Sequence, residues 1–171
     1  MILYIETNFL MGIAKGQDPQ AQNLLLNTPT YIAIVIPSIC YVEALTTLEQ
    51  EEKYNEDFLR RLDIQINEAE RDKTSENSRL LRSLLNQSRI KFLDRINDIK
   101  ERFDTAFNQL NTKTKIITLN IEIIQGNLNT NILDKHIMDK LILECITYHA
   151  RLHTSETKVF LSSNSKEFGK R

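Results

Sequence analysis

Met1-Ile2-Leu3-Tyr4-Ile5-Glu6-Thr7-Asn8-Phe9-Leu10 opens the chain. Ile2 to Ile5 is an apolar run too short for a helix and ended at once by polar residues. A strand buried on both faces of a parallel sheet reads this way. Glu6, Thr7 and Asn8 then place a carboxylate, a hydroxyl and an amide at the strand's carboxyl end, the edge where ligands sit in open α/β sheets.

The flanking sequence continues this pattern. Phe9, Leu10, Ile13 and Ala14 give the next segment a helical apolar face, closed by Gly16. Asp18-Pro19 is a helix start, a capping carboxylate followed by proline at the first helical position. The stripe Ala21, Leu24, Leu25 follows, and Thr28-Pro29 ends it. Tyr31 to Ile36 is rich in β-branched residues and reads as a second strand. Pro37 stops it, and Ser38 is expected to cap a helix from Ile39 to Leu48. A β-α-α-β-α beginning implies parallel strands with right-handed crossovers.

From Glu49 to Leu110 the pattern is helical throughout. Tyr54, Phe58, Leu62, Ile66 and Ala69 mark one stripe. Glu70 to Arg79 lacks an apolar residue and reads as a turn or frayed tip. Leu81, Leu85, Ser88, Phe92, Ile96, Ile99, Phe103, Ala106 and Leu110 then follow 4-3-4-4-3-4-3-4 spacing, close to a coiled-coil seam. Glu49 to Asp72 carries nine acids against four bases, and Arg79 to Leu110 carries seven bases against four acids. Matching stripes of opposite charge predict two antiparallel helices packed on each other.

The α/β pattern then resumes. Lys115 to Leu119 is a strand or extended connector, and Asn120 can cap a short helix through Ile121, Ile124 and Leu128. A helix from about His136 to Leu152 carries Ile137, Leu141, Ile142, Cys145, Ile146 and His149 on its apolar face. Lys158 to Leu161 is a last strand, followed by the polar run from Ser162.

At 171 residues the chain is read as a single domain, 1–171, with a helical hairpin over 49–112 inside it. Net charge is −1, so a basic nucleic-acid footprint is absent globally and can only be local. Cys40 and Cys145 have no CxxC spacing and read as buried free thiols of a reducing compartment. The chain opens without a signal-peptide pattern, and no apolar run reaches the ~18 residues of a membrane helix, so a cytoplasmic protein is expected.

Parallel topology draws Glu6, Glu43, Asp139 and Asn164 towards one edge of the sheet. Clustered carboxylates without a histidine pair or thiolate are the oxygen-only donor set that Mg²⁺ and Mn²⁺ prefer. Such ions polarise phosphodiesters and generate a hydroxide nucleophile. The blander readings stand beside this one. Glu43 also suits a solvated helix position, Asn8 a helix cap or a partner that orders Glu6, and Asp134 a cap. His136, His149 and His153 suit surface or packing positions, and Tyr4 suits the core. Asp139, beside an apolar face, needs a partner.

Four motifs in this order resemble a PIN domain: Ile5-Glu6-Thr7-Asn8-Phe9-Leu10, Val35-Ile36-Pro37-Ser38-Ile39-Cys40-Tyr41-Val42-Glu43-Ala44-Leu45, Met138-Asp139-Lys140-Leu141-Ile142-Leu143, and Val159-Phe160-Leu161-Ser162-Ser163-Asn164-Ser165-Lys166-Glu167-Phe168. The resemblance covers 1–48 and 116–168, and the helical stretch between is similar to the long insertions of one subgroup. It implies a three-layer α/β/α fold with a short parallel sheet and an inserted antiparallel helical hairpin. It also implies a metal-dependent nuclease cutting RNA, of the kind found as toxins of toxin–antitoxin pairs. Glu6, Glu43, Asp139 and Asn164 would be the catalytic, Mg²⁺- or Mn²⁺-holding residues.

The pattern has Asp where this chain has Glu6, and usually Asp where it has Asn164. Asp134 and Glu167 are nearby acids that could stand in. The family pattern also continues into a further strand, so a shortened sheet edge or a truncated chain is expected at Arg171. The expected partners are an RNA substrate, an antitoxin or other protein, and a second copy in a homodimer. The alternatives left open are a DNA-directed nuclease and a non-catalytic PIN-like module that binds protein or RNA.

Overall fold

The structure, a computed structural model, describes residues 1–129 and 137–163. In chain order its elements are β1 (Ile2–Ile5), α1 (Thr7–Ala14), α2 (Pro19–Leu26), β2 (Ala33–Pro37), α3 (Ser38–Arg71), α4 (Glu76–Lys113), β3 (Lys115–Ile117), α5 (Ile121–Asn129), α6 (Ile137–Leu152) and β4 (Lys158–Leu161). Among the described residues, no helix is long and apolar enough to cross a membrane.

Contacts divide the chain into two compact units. One comprises Met1–Leu45 with the chain from Arg102 on, and the other is Thr46–Glu101. The first contains the sheet, all parallel, in the order β3-β2-β1-β4. All four residues of β1 are buried, as a strand between two parallel neighbours requires. Register pairs Ile2 with Ala33 on β2 and Ile5 with Leu161 on β4. The carboxyl ends of β1 and β4 therefore stand side by side.

Two of the expected caps form, at Asp18 and Asn120. Asp18 Oδ1 accepts the Ala21 amide at 2.8 Å, and Asn120 Oδ1 accepts the Ile123 amide at 2.9 Å. Gly16 has φ +67°, a left-handed backbone that favours glycine, and it turns the chain after α1. Two cations close helix ends by reaching backbone carbonyls: Arg102 Nε donates to Ala14 O at 2.9 Å, and Lys113 Nζ to Leu25 O and Leu26 O.

Two boundaries and one burial differ from the sequence reading. Helix α3 does not stop at Leu48 but runs unbroken from Ser38 to Arg71. Neither glycine nor proline occurs between Pro37 and Gly126, so nothing local breaks it. Ser38 begins that helix, and its Oγ accepts the amide of Leu119, 3.2 Å away. Strand β2 begins at Ala33, leaving Tyr31 70% exposed in the preceding turn. Ile137, at the first position of α6, is also 70% exposed instead of lying on the buried face.

The second unit holds the later part of α3 and the earlier part of α4. Ion pairs join Glu70 to Arg82, Asp63 to Arg89 and Glu52 to Lys100, and the Phe58 and Phe92 rings lie 4.6 Å apart. Residue numbers fall on one helix as they rise on the other. The ion pairs are half-exposed and each contributes little, about 0.2–1 kcal/mol. They set register more than stability. The tip is an ordered turn, not a frayed one. Asp72 Oδ1 accepts the amides of Thr74 and Ser75, its Oδ2 accepts the Ser78 hydroxyl, and Ser75 Oγ accepts the Ser78 amide. These donors hold the Asp72 carboxyl down to about 2.

Of the first stripe, Leu62, Ile66 and Ala69 are buried, whereas Tyr54 and Phe58 are largely exposed. Steps of four residues advance about 40° beyond a full turn. A strict i+4 series therefore walks off a packed face within two or three steps. On α4 the stripe is buried from Ile99 through Phe103, Ala106 and Leu110, but Leu81 is half exposed.

Tyr4 is buried, and its hydroxyl pairs with His149 Nδ1 at 2.9 Å, so both take the packing role. His153 stacks on His149 at 4.3 Å. Burial, then the neighbouring His153 and Lys115, lower the His149 pKa, while Glu156 opposes them. The folded chain therefore binds fewer protons than the unfolded one. Stability is complete above the ordinary imidazole value of about 6.5 and falls as pH drops below it towards the folded value. The melting temperature of the wild type should fall further between about pH 7.5 and about pH 5.5 than that of His149→Gln. Parallel falls in the two proteins would remove His149 as the cause.

Candidate metal centre at the carboxyl edge of the sheet

Glu6 sits where β1 ends and α1 begins, in the cap position of the helix with extended backbone (φ −124°, ψ −178°). Its side chain makes no capping hydrogen bond to that helix. The carboxylate turns instead to the neighbouring strand end, where Ser162 Oγ and the Ser163 amide (3.2 Å) both donate to Oε1. The Asn8 side chain donates to the same carboxylate. Asn8 thus lies inside α1 and orders Glu6, and does not cap the helix.

Glu6 is 2% exposed, unusual for a carboxylate. Burial raises its pKa, Asp139's negative charge adds to the rise, and the donors Ser162, Asn8 and Ser163 oppose it. Among the described residues, none of the groups that shift Glu6 is a cation. A divalent cation would relieve the mutual repulsion of two carboxylates that feel each other.

Thr7, the first residue of α1, is also buried, and its hydroxyl donates to Glu43 Oε2 from one turn into α3. Cys40 completes this side. Burial, together with the charges of Glu43 and Glu6, pushes its thiol up to about 12, while Thr7 hydrogen bonds oppose. Cys40 is therefore a neutral, inert thiol, as is Cys145 at about 11. A small cavity of about 80 Å³, lined by Asn8, Phe9, Asp18, Leu161, Ser162 and Ser163, opens beside the Glu6 clamp.

The structure thus couples Glu6 to Asp139 through charge, and joins Glu43 to the same strand end through Thr7. It does not draw the acids into a tight cluster. Among the described residues, no group of three or more His, Cys, Asp or Glu could hold a metal ion. Asn164, Asp134, Glu167 and His136 lie outside the described residues. The donor chemistry nonetheless fits Mg²⁺, which typically takes one or two carboxylates and completes its shell with water and substrate phosphate.

A family model described as the PIN domain matches residues 3–168. The chain belongs to the PIN domain family. PIN domains are generally nucleases and generally use divalent metal ions. No curated protein and no solved structure gave a significant match. In this PIN domain, the four-stranded parallel sheet brings Glu6, Ser162 and Ser163 to one edge.

Reading the sequence alone placed the Thr7 hydroxyl at the sheet edge without its bond to Glu43, and it missed the Ser162 hydroxyl and the Ser163 amide as partners of Glu6. The polar run directly after β4 was visible. Nothing in its spacing told which of its groups would turn back to Glu6.

Proposed function

We propose that this PIN domain is a Mg²⁺- or Mn²⁺-dependent ribonuclease, with the ion held by Glu6 and Asp139 and assisted by Glu43 and Asn164. The observation that carries the proposal is the buried Glu6 carboxylate, turned away from its own helix and facing the charge of Asp139. When bound, the ion supplies Lewis-acid polarisation of a phosphodiester and activation of a nucleophilic water. The protein's own groups supply the geometry. Ser162 and Ser163 fix one Glu6 oxygen, Asn8 steadies the carboxylate, and Thr7 orients Glu43 towards the same edge.

In the same proposal, residues 49–112 form an antiparallel helical hairpin inserted in a three-layer α/β/α PIN core. The setting is cytoplasmic, and the partners are RNA and, as for a toxin, a cognate antitoxin protein. RNA incubated with the protein should be cut when Mn²⁺ is added and spared when a chelator is present. Cleavage that is indifferent to chelator would overturn the assignment.

A second reading, a PIN-like module that binds protein or RNA without cutting, is favoured by one specific observation: the described residues do not assemble a three-acid group. Asn164→Asp separates the two. It restores the charge the family pattern carries there, so Mn²⁺ should bind on the order of tenfold tighter and cleavage should rise. If neither wild type nor Asn164→Asp binds Mn²⁺ or cuts RNA, the binding module is the correct reading.

A further inference from the structure

The cavity beside the Glu6 clamp has a volume of about 80 Å³, several times the ~10–15 Å³ that one water requires. Asn8, Ser162 and Ser163 on its wall are also the donors to Glu6. A group in the cavity therefore adjoins the residues that hold the Glu6 carboxylate. The one charged residue on the wall is Asp18. Its place is fixed against α1. The Asp18 amide donates to Gly12 O at 3.2 Å, and a side chain on Gly12 would begin 3.3 Å from Asp18 Cβ. Asp18 Oδ1 accepts the Ala21 amide, and Oδ2 accepts no hydrogen bond among the described residues.

Charge decides what the cavity takes. A fixed carboxylate repels phosphate. One carboxylate already accepting a cap amide, with no second acid on the wall, gives a second cation little to hold. A neutral hydroxyl needs one strong acceptor, and a charged acceptor strengthens that hydrogen bond. The groups covalently next to any phosphodiester are its two sugars, and ribose differs from deoxyribose by its 2′-hydroxyl. We propose that Asp18 is a specificity-determining residue: its Oδ2 accepts the 2′-hydroxyl of the ribose beside the phosphodiester bound at Glu6, so the site selects RNA over DNA. The proposal rests on the metal-dependent ribonuclease reading above. It has a consequence that a helix cap alone would not have, because a cap acts on folding and cannot tell ribose from deoxyribose.

The experiment compares the wild type with Asp18→Ser on the full chain in Mn²⁺. Serine caps a helix about as well as aspartate but has no second oxygen to reach the cavity. The probes are a labelled single-stranded oligoribonucleotide and a matched series with one 2′-deoxy substitution at each position. For the wild type, kcat/KM should fall roughly ten- to a hundredfold when the deoxy sugar stands beside the cleaved bond, the effect of one hydrogen bond to a charged group. Asp18→Ser should cut the ribose and deoxyribose substrates equally. Each protein is compared with itself, so any loss of folded protein cancels. A deoxy penalty of the same size in both proteins overturns the proposal, as does its absence in the wild type. A wild type that cuts none of the oligonucleotides overturns the ribonuclease reading itself, and this proposal with it. The two failures are told apart by whether the wild type cuts the all-ribose probe.

Discussion

Asp139→Asn is expected to reduce Mn²⁺-dependent RNA cleavage by at least about a hundredfold, the upper end of what losing an outer-shell partner costs a metal site. The substitution keeps size and hydrogen-bonding shape while removing the one charge that acts on Glu6 from α6. If Asp139 is a ligand, the cation loses half of a carboxylate pair, and activity should fall together with Mn²⁺ affinity. Asp139 also raises the Glu6 pKa, so neutralising it should let the Glu6 pKa fall in the metal-free protein. Lost Mn²⁺ affinity together with lost activity is the expected pair of results. Full activity in Asp139→Asn would remove α6 from the site.

The largest expected effect on stability comes from Phe103→Ala. Phe103 is 2% exposed on α4, its ring lies 5.9 Å from that of Phe107, and Phe107 meets Tyr41 edge-on at 4.9 Å. Truncating a fully buried phenylalanine removes its transfer free energy and leaves a cavity, together about 3–5 kcal/mol. For a chain of this length that lowers the melting temperature by roughly 6–20 °C. Phe92 belongs to the same sequence stripe but is only half-buried, so Phe92→Ala should cost less. Ser88→Ala, at an exposed position of the stripe, should fall within about 0.5 kcal/mol of the wild type. Equal melting temperatures for Phe103→Ala and Ser88→Ala would contradict the burial of this face.

How far the sequence was legible follows from which physics is local. Strand β1 could be read because burial on both faces leaves no room for a polar residue between Ile2 and Ile5. The caps at Asp18 and Asn120 were legible because each pairs with an amide three residues on. The parallel order then followed from connection rules and carried Glu6 to the edge. The continuity of α3 past Leu48 was harder, because the buried stripe of Ile39, Cys40 and Ala44 gives way to a different stripe inside one helix. The missing breakers between Pro37 and Gly126 were the available clue.

The site divides in the same way. Glu6, Glu43 and Asp139 were visible as residue types at strand and helix ends. The Ser162 and Ser163 donors to Glu6 join residues 156 and 157 positions apart, and no periodicity encodes such a contact. The substitution of glutamate for the family's aspartate was visible. How the longer arm is accommodated needed the register of β1 against β4.

A divalent-cation site formed by Glu6 and Asp139 at the carboxyl edge of the sheet is open to direct calorimetric titration with Mn²⁺, comparing the metal-free wild type with Glu6→Gln. Saturable Mn²⁺ binding by the wild type and none by Glu6→Gln at the same concentrations is the expected result. Identical isotherms from the two proteins would rule the site out.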